Sequence, residues 1–325
     1  MKKISIIINC YNESKNINDL YAAITAEIDK LNRYEWEMIF EDNSSTDNTV
    51  ELLRALAEKD KRVRIIVNMA NYGAYRSGCN LFQSPCADAV ISICADLEDP
   101  PSLIPQFVEA WEQGWLVVQG QYVSRTENPL MRICRKLYYI IIAAFSDIKL
   151  EHNITSFGLF DMSVVEVVRG LGAYNTSRFI YAELGYPIKY IPYHRPRRNG
   201  GKSSYSLLQY YRLAVESLVL TSHTPLHLAS FIGFIISFCS ILIAIFYFFQ
   251  KLLHWNTFDL GMAPLTVGMF FLGGVQLFFI GVISEYMSCM IKRQQNRPYV
   301  IEKERINFEG YGKPGRPERN EDEKE

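Results

Sequence analysis

A chain of 325 residues with a formal net charge of −1 has no global positive field, which argues against nucleic-acid binding. Its length allows one large domain or two small ones with ample core. The seven cysteines are scattered, odd in number and without a C-x-x-C pair, so the sequence predicts neither a zinc site nor a disulfide framework.

Strand and helix patterns alternate through the first 120 residues. The first apolar run, Ile4–Ile8, is continuous, as expected of a strand buried on both faces. The alternation predicts an α/β fold in which helices cover a mostly parallel sheet. The predicted strands are Ile4–Ile8, Glu37–Phe40, Arg64–Val67, Ala89–Ile93 and Trp115–Gly120, and the predicted helices are Asn16–Leu31, Thr49–Lys61, Tyr75–Phe82 and Ser102–Gln113.

Acidic and amide side chains follow three of these strands, in segments 9–13, 41–47 and 94–100. Ligands of open α/β sheets bind beyond the carboxyl ends of the strands, so we expect the three segments to line one crevice. The sequence contains no glycine-rich phosphate loop. An acidic crevice that holds a nucleotide needs a divalent cation between the carboxylates and the diphosphate.

Two later segments, Leu226–Phe249 and Met262–Ile283, are long and apolar. About 20 apolar residues at ~1.5 Å each cross the hydrocarbon core, so both segments are predicted to span a membrane. Basic residues lie before the first segment and after the second, which predicts that the preceding domain and both termini are in the cytoplasm. Leu207–Leu220 is predicted to be an amphipathic helix at the membrane interface. A protein of this kind is expected at the inner membrane.

The motifs, in order, resemble those of family 2 glycosyltransferases with the GT-A fold. The motif-bearing segments are Ile6–Glu13, Glu41–Thr49, Asp96–Pro100 and Arg198–Tyr205, followed by the two apolar segments. Together they are similar to the polyisoprenyl-phosphate glycosyltransferases, which include dolichol-phosphate mannose synthases and bacterial undecaprenyl-phosphate (bactoprenol) glucosyltransferases. The resemblance runs from about Lys3 to Glu302. It implies a GT-A nucleotide-sugar-binding domain over residues 1–205, an interfacial helix over 206–222, a two-helix transmembrane hairpin over 225–289 and a cytoplasmic tail over 290–325.

The same resemblance implies roles for individual residues. Asp42 is expected near the base, Glu13 near the ribose, Asp96 on Mg²⁺ or Mn²⁺, and Asp99 beside the transferred sugar. The expected catalytic residues are Asp96, Asp99 and Arg198, with Asp96 also the metal ligand, and the expected substrate-binding residues are Tyr11, Glu13, Asp42, Asn71, Gly73, Lys202 and Ser203.

Several of these assignments have structural alternatives. Asp42 precedes a cluster of helix-capping residues, but Asp47 is the better candidate for the cap, so Asp42 is assigned to function. Asn71–Gly73 is either a simple turn or a turn beneath the nucleotide. The basic residues before the membrane bind either phosphate or anionic headgroups. Arg198 and Ser203 are assigned to the site, whereas Arg195, Arg197 and Arg212 are assigned to the surface.

Two departures from the family pattern affect the site. The family usually carries D-x-D where this chain has Cys94, Ala95 and Asp96, and a thiol is a poor ligand for a hard cation. Cys94 is equally well interpreted as a small core residue at the end of a strand. Relatives commonly carry an acidic residue and an arginine where this chain has Ser156 and Gly158, which affects the contacts with the sugar hydroxyls.

The predicted reaction transfers a hexose from a nucleotide sugar, uridine-linked by analogy, to undecaprenyl phosphate. The acceptor phosphate is substantially a dianion at neutral pH, so no strong general base is needed, and a single displacement inverts the anomeric centre. One alternative is transfer to a sugar on a lipid diphosphate, and another is a catalytically impaired scaffold that binds nucleotide sugar. A homo-oligomer is expected, with a tetramer as the specific hypothesis. The tail segment Arg297–Ile301 is predicted to form a short strand.

Overall fold

The structure, a computed structural model, describes residues 1–124, 153–171, 180–195, 224–253, 262–294 and 298–309. The chain divides into two compact units. Residues 1–135, 148–204 and 296–325 form the first, here called the sheet unit, and residues 136–147 and 205–295 form the second, the helical unit.

The sheet unit is built on one eight-stranded sheet with the order β7-β5-β6-β4-β1-β2-β3-β8. Only β6 and β8 run antiparallel to their neighbours, so the predicted mostly parallel α/β architecture is confirmed. The strands are β1 (Lys3–Cys10), β2 (Glu35–Asp42), β3 (Val63–Asn68), β4 (Ala89–Cys94), β5 (Val117–Ser124), β6 (Ile154–Asp161), β7 (Ile188–His194) and β8 (Glu302–Ile306).

Helices cover both faces of this sheet. Alternate residues of the central strands point to opposite faces, so continuous apolar runs such as that of β1 contribute to two cores. Ile6 and Ile8 lie in one core and Ile7 lies in the other, and all three are at most 1% exposed. Among the described residues, the α-helices of this unit are α1 (Ile17–Ile28), α2 (Thr49–Lys59), α3 (Ala74–Gln83), α4 (Ile104–Glu112), α5 (Met162–Gly170) and α6 (Ile180–Glu183).

The tail returns to the sheet unit and forms its outermost strand, β8, antiparallel to β3. The strand predicted over Arg297–Ile301 is therefore wrong in position, since β8 begins at Glu302. The carbonyl oxygens of Pro298 and Tyr299 accept hydrogen bonds from the side chain of Arg76 rather than from a neighbouring strand.

The helical unit contains two long helices, α7 (Thr224–Leu253) and α8 (Met262–Gln294). Within the described residues, Phe271–Ser288 of α8 is long and apolar enough to cross a membrane, and none of it is buried. The shorter apolar stretch Ser230–Ser240 lies in α7. The predicted interfacial helix, 206–222, lies outside the described residues.

Candidate active site

The three polar segments predicted to share a crevice do follow neighbouring parallel strands. In the sheet register, Asn9 of β1 lies opposite Glu41 of β2 on one side and Cys94 of β4 on the other. Cys10 lies opposite Asp42. The carboxyl ends of the three strands therefore meet at one edge of the sheet, which is where open α/β folds bind ligands.

Each of the three segments turns through a residue with a left-handed backbone that is not glycine. The φ angles are 55° at Asn12, 61° at Ser44 and 58° at Leu97. Such conformations are uncommon outside glycine and cluster where function over-determines the backbone. The segments after β1 and β2 are also joined, because the N–H of Asn12 donates to Ser45 and the N–H of Thr46 donates to Asn12.

Asp42 is fully buried at the end of β2. Its Oδ2 atom accepts the N–H of Ser45 at 2.9 Å, while Oδ1 is buried without a hydrogen-bond partner among the described residues. Burial raises the pKa of Asp42, and the hydrogen bond from Ser45 opposes that rise. A buried unpaired oxygen is costly, so this carboxylate is an available acceptor for a ligand N–H group.

Two neighbouring acidic residues, Asp47 and Glu13, form hydrogen bonds with other groups of the protein. The N-cap of α2 is Asn48 rather than the predicted Asp47, but the carboxylate of Asp47 accepts the N–H groups of Thr49, the first residue of α2, and of Ser14. Glu13 is 8% exposed and accepts a hydrogen bond from Asn16 at 2.6 Å. Tyr11 is 36% exposed, so its ring is open to a ligand. The roles of Glu13 and Tyr11 in substrate binding stay predictions.

The turn after β3 is held by amide side chains. Asn43 donates to Asn71 and accepts the N–H of Tyr72, both at 3.0 Å. Asn71 in turn accepts the N–H of Gly73, whose φ of 83° is a left-handed value that favours glycine. Asn71 and Gly73 are exposed, so the turn is open to solvent at the edge of the sheet where Asp42 is buried.

The segment after β4 carries the residues expected to meet the metal. Asp96 is half-buried, and one of its oxygens accepts the N–H of Glu98 at 3.2 Å. Cys94 is a free, half-buried thiol. No group of three or more His, Cys, Asp or Glu side chains able to hold a metal ion occurs in the part of the chain that the structure describes. The residues here fit a cation that takes one carboxylate, from Asp96, and completes its shell with diphosphate and water, as Mg²⁺ does.

Asp99 is enclosed by β7 rather than open to solvent. It is fully buried, accepts a hydrogen bond from the Tyr193 hydroxyl at 2.8 Å, and leaves Oδ2 without a partner among the described residues. Burial raises the pKa of Asp99, and the guanidinium of Arg195 and the Tyr193 hydroxyl oppose the rise. The expected contact between Asp99 and the sugar stays a prediction.

Arg195 is not the surface charge that the sequence suggested. Its side chain is 12% exposed and forms an ion pair of 2.6 Å with Glu98. The error has a topological cause. β7 runs parallel to β5, so the residues at its carboxyl end reach the same edge of the sheet as the segment after β4. The sequence did carry a signal for this position, because Arg195 directly follows the strand-like segment that forms β7.

The second departure from the family pattern lies on β6. A Cβ atom at Gly158 would lie 2.3 Å from the carbonyl oxygen of Val118 on β5. No side chain fits there unless the backbone moves, so the arginine expected from the family pattern has no place in this structure. Ser156, on the same strand, is exposed. The predicted site residues Arg198, Lys202 and Ser203 lie outside the described residues.

Comparison with known proteins gives these motifs a context. Residues 5–169 match the model of glycosyl transferase family 2. An uncharacterised glycosyltransferase of Synechocystis sp. is 30% identical over 92% of this chain and 94% of its own length. The SfII prophage-derived bactoprenol glucosyl transferase of Shigella flexneri is 31% identical over 93% of this chain and 98% of its own.

A solved structure is also similar. The glucosyl-3-phosphoglycerate synthase of Mycobacterium tuberculosis, in complex with Mn²⁺, uridine diphosphate and phosphoglyceric acid, matches with a TM-score of 0.46 and 16% identity. The match covers 67% of this chain and 77% of that one.

Proposed function

Because the chain belongs to glycosyl transferase family 2, we propose that it transfers a hexose from a nucleotide sugar to undecaprenyl phosphate. The observation that carries this proposal is the convergence of Asp42, the Asn71–Gly73 turn and Asp96 at one edge of the sheet. Relatives named bactoprenol glucosyl transferases, similar over almost their whole length, support the lipid acceptor.

In this proposal the nucleoside lies over the ends of β1, β2 and β3. The unpaired Oδ1 atom of Asp42 accepts an N–H group of the base, and the exposed ring of Tyr11 follows Cys10, which lies opposite Asp42 in the sheet. Uridine is the specific hypothesis for the base. The diphosphate then lies toward Asp96, which would hold a Mg²⁺ or Mn²⁺ ion. When bound, that ion neutralises the charge that develops on the leaving diphosphate.

The proposed reaction depends on positioning the two substrates more than on proton transfer. A lipid monophosphate is largely a dianion at neutral pH, and its oxygen attacks the anomeric carbon as the bond to the nucleoside diphosphate breaks. One displacement inverts the anomeric centre. Arg198, Lys202 and Ser203 are proposed to bind phosphate. Asp99, held by Tyr193, is proposed to lie beside the sugar.

We also propose that both α7 and α8 cross the inner membrane and that the catalytic domain and both termini are cytoplasmic. Large apolar side chains on the two helices are exposed, including Phe234, Phe246 and Phe278 at more than half of their surface. Exposure on that scale is typical of lipid-facing helices. A homo-oligomer, specifically a tetramer, is proposed as well, and light scattering in mild detergent tests it.

A catalytically impaired scaffold is the second candidate, and two observations favour it. The chain offers Cys94 where the family usually has a metal-binding carboxylate, and Gly158 leaves no room for the usual arginine. Such a scaffold binds nucleotide sugar without forming a lipid product.

A transfer assay decides between the two candidates. Membranes containing the protein are supplied with undecaprenyl phosphate and a panel of labelled nucleotide sugars, with and without Mg²⁺ or Mn²⁺. We expect a lipid-linked product from one donor, lost with chelator and in Asp96→Ala. Nucleotide binding without product from any donor would contradict the transferase proposal and support the scaffold.

A further inference from the structure

A chain of buried and half-buried hydrogen bonds connects β8, the strand of the tail, to the edge of the sheet where the nucleotide is proposed to bind. Its centre is Glu41, a fully buried carboxylate on β2 that the proposed function does not use. One of its oxygens accepts from Asn68 and from Ser77, both at 2.8 Å, and the other accepts from Asn80 at 3.2 Å. All three donors are neutral, and burial raises the pKa of Glu41 to about 7.

From Glu41 the network reaches the turn after β3. Asn68, which donates to Glu41, lies 3.4 Å from the side-chain oxygen of Asn43. Asn43 holds the turn directly, because it donates to Asn71 and accepts the N–H of Tyr72. A shift of Glu41 or Asn68 therefore changes the side chain that fixes the backbone of the turn.

In the other direction the network reaches the tail. The amide of Asn80 donates to Glu41 and also to Glu302, the first residue of β8, at 3.1 Å. Arg76, one turn earlier on α3, donates to the carbonyl oxygens of Tyr299 and Pro298. The helix α3 thus binds the tail with two side chains and passes one contact on to the buried carboxylate.

We propose that the tail segment, Pro298–Phe308, is a working part of the donor site, and that Glu41 and Asn80 are positioning residues that couple its docking to the Asn71–Gly73 turn. This inference deepens the proposed function and rests on it, since the turn must contact the nucleotide. In this account the segment that follows the membrane helices in the chain sets the affinity for the donor. Weakening this link leaves the reacting groups in place and lowers the affinity for the nucleotide.

The test measures nucleotide affinity and kinetics on the full chain in detergent. UDP and GDP are titrated calorimetrically, and the one that binds the wild type is used throughout. Asn80→Ala removes the link while keeping both carboxylates, and we expect its dissociation constant to rise roughly threefold to tenfold. Glu41→Gln keeps the shape but turns an N–H group toward existing donors, and we expect a change in the same direction. For both, the donor KM rises while kcat and the acceptor KM stay within about twofold.

A matched control separates tail docking in general from this network. Arg54→Ala breaks the exposed ion pair between Arg54 of α2 and Glu304 of β8. This pair also holds the tail but lies outside the network. We expect its dissociation constant to stay within about twofold of the wild type, as for most exposed ion pairs.

Two results would overturn the inference. The first leaves the proposed function standing, and the second does not. Unchanged affinity in both Asn80→Ala and Glu41→Gln, with circular dichroism like that of the wild type, removes this inference alone. A wild-type protein that binds neither UDP nor GDP removes the proposed function as well.

Discussion

The loops that follow β1, β2 and β3 and the loops that follow β4 and β7 line the same edge of the sheet but are built differently. The first group is a lattice of amide and hydroxyl contacts around Asp42 and Asn43, and its motifs follow the family pattern. The second group departs from that pattern at Cys94. It is instead held by the Glu98–Arg195 ion pair and the Tyr193–Asp99 hydrogen bond.

We propose that the difference separates two functions within one site. The loops after β1 to β3 are proposed to hold the nucleoside, which is common to many donors, and they keep a standard set of residues. The loops after β4 and β7 are proposed to hold the metal, the sugar and the phosphate of the acceptor. We therefore expect this chain to differ from the family pattern in metal use or sugar choice rather than in nucleotide binding. Each prediction below acts on one side of this comparison.

The largest expected effect comes from Arg195→Ala in the second group. Removing this cation leaves Glu98 unpaired and Asp99 buried without a positive neighbour. We expect the free energy of unfolding of the sheet unit to fall by about 3–5 kcal/mol. Chemical denaturation in detergent measures it. Lys30→Ala, which removes an exposed ion pair with Glu27, is the control and should cost less than about 1 kcal/mol. Equal losses would show that the Glu98–Arg195 pair behaves like a surface contact.

The pH dependence of stability probes Glu41, next to the first group. Burial raises the pKa of Glu41 from 4.5 to about 7, with a smaller contribution from nearby Glu302. The folded state therefore holds this proton more tightly than the unfolded state. The stabilisation is complete below about pH 4.5 and is lost as the pH rises through about 7, a change of about 3 kcal/mol.

Melting temperatures of the wild type and Glu41→Gln between pH 5 and pH 8 check this prediction. The wild type should lose stability relative to the variant as the pH rises. Parallel curves would mean that the Glu41 pKa is ordinary. The pKa of Glu302 is lowered by its hydrogen bond to Arg305, so the contribution of Glu302 has the opposite sign and is common to both proteins.

Asp42→Asn and Asp47→Asn form a matched pair within the first group. Asp42 is proposed to bind the base, so we expect Asp42→Asn to raise the donor KM roughly 10- to 100-fold with little change in kcat. The two carboxylate oxygens of Asp47 accept the N–H groups of Thr49 and Ser14, and an amide can keep only one of these bonds, so Asp47→Asn should cost about 1 kcal/mol of stability and leave the donor KM within about twofold. Steady-state kinetics and melting curves measure both. A donor KM that rises equally in the two variants would remove the distinction between a ligand-binding carboxylate and a structural one.

The smallest expected effect is at Gly158 in β6. A methyl group there meets the Val118 carbonyl, so we expect Gly158→Ala to destabilise the protein by about 1–2 kcal/mol. Gly170→Ala is the control, because a Cβ at Gly170 has no neighbour within 4 Å. Identical melting temperatures for the two variants would show that β5 and β6 can separate at no cost.

The sequence was sufficient for the elements whose apolar runs are continuous. β1, β2, β3 and β4 were each predicted to within two residues at either end, because a strand buried on both faces has a simple pattern. It was insufficient for β6, β7 and β8, which are antiparallel or at an edge. β7 contains Pro192, a residue that weakens a strand prediction and is tolerated at the edge of a sheet, where β7 lies.

Prediction of the site from the sequence was limited in the same way, by the strands that the pattern did not reveal. The positions of Asp42 and Asp96 were predictable because Asp42 ends one strong strand, Asp96 lies just after another, and each matches a family motif. The ion pair of Arg195 with Glu98 was not, because it joins residues 97 positions apart through a strand that the pattern had not revealed. The link between the tail and Glu41 was equally hidden, since it depends on where a strand after two long helices docks.

The measurement that tests the central comparison most directly is a metal titration of transfer activity in the wild type and in Cys94→Asp, with the full panel of donors. If the loop after β4 differs from relatives in metal use alone, Cys94→Asp changes the optimum for Mg²⁺ or Mn²⁺ and forms the same lipid-linked product from the same donor. A Cys94→Asp protein that prefers a different nucleotide sugar would contradict this account, because Cys94 would then help to select the sugar.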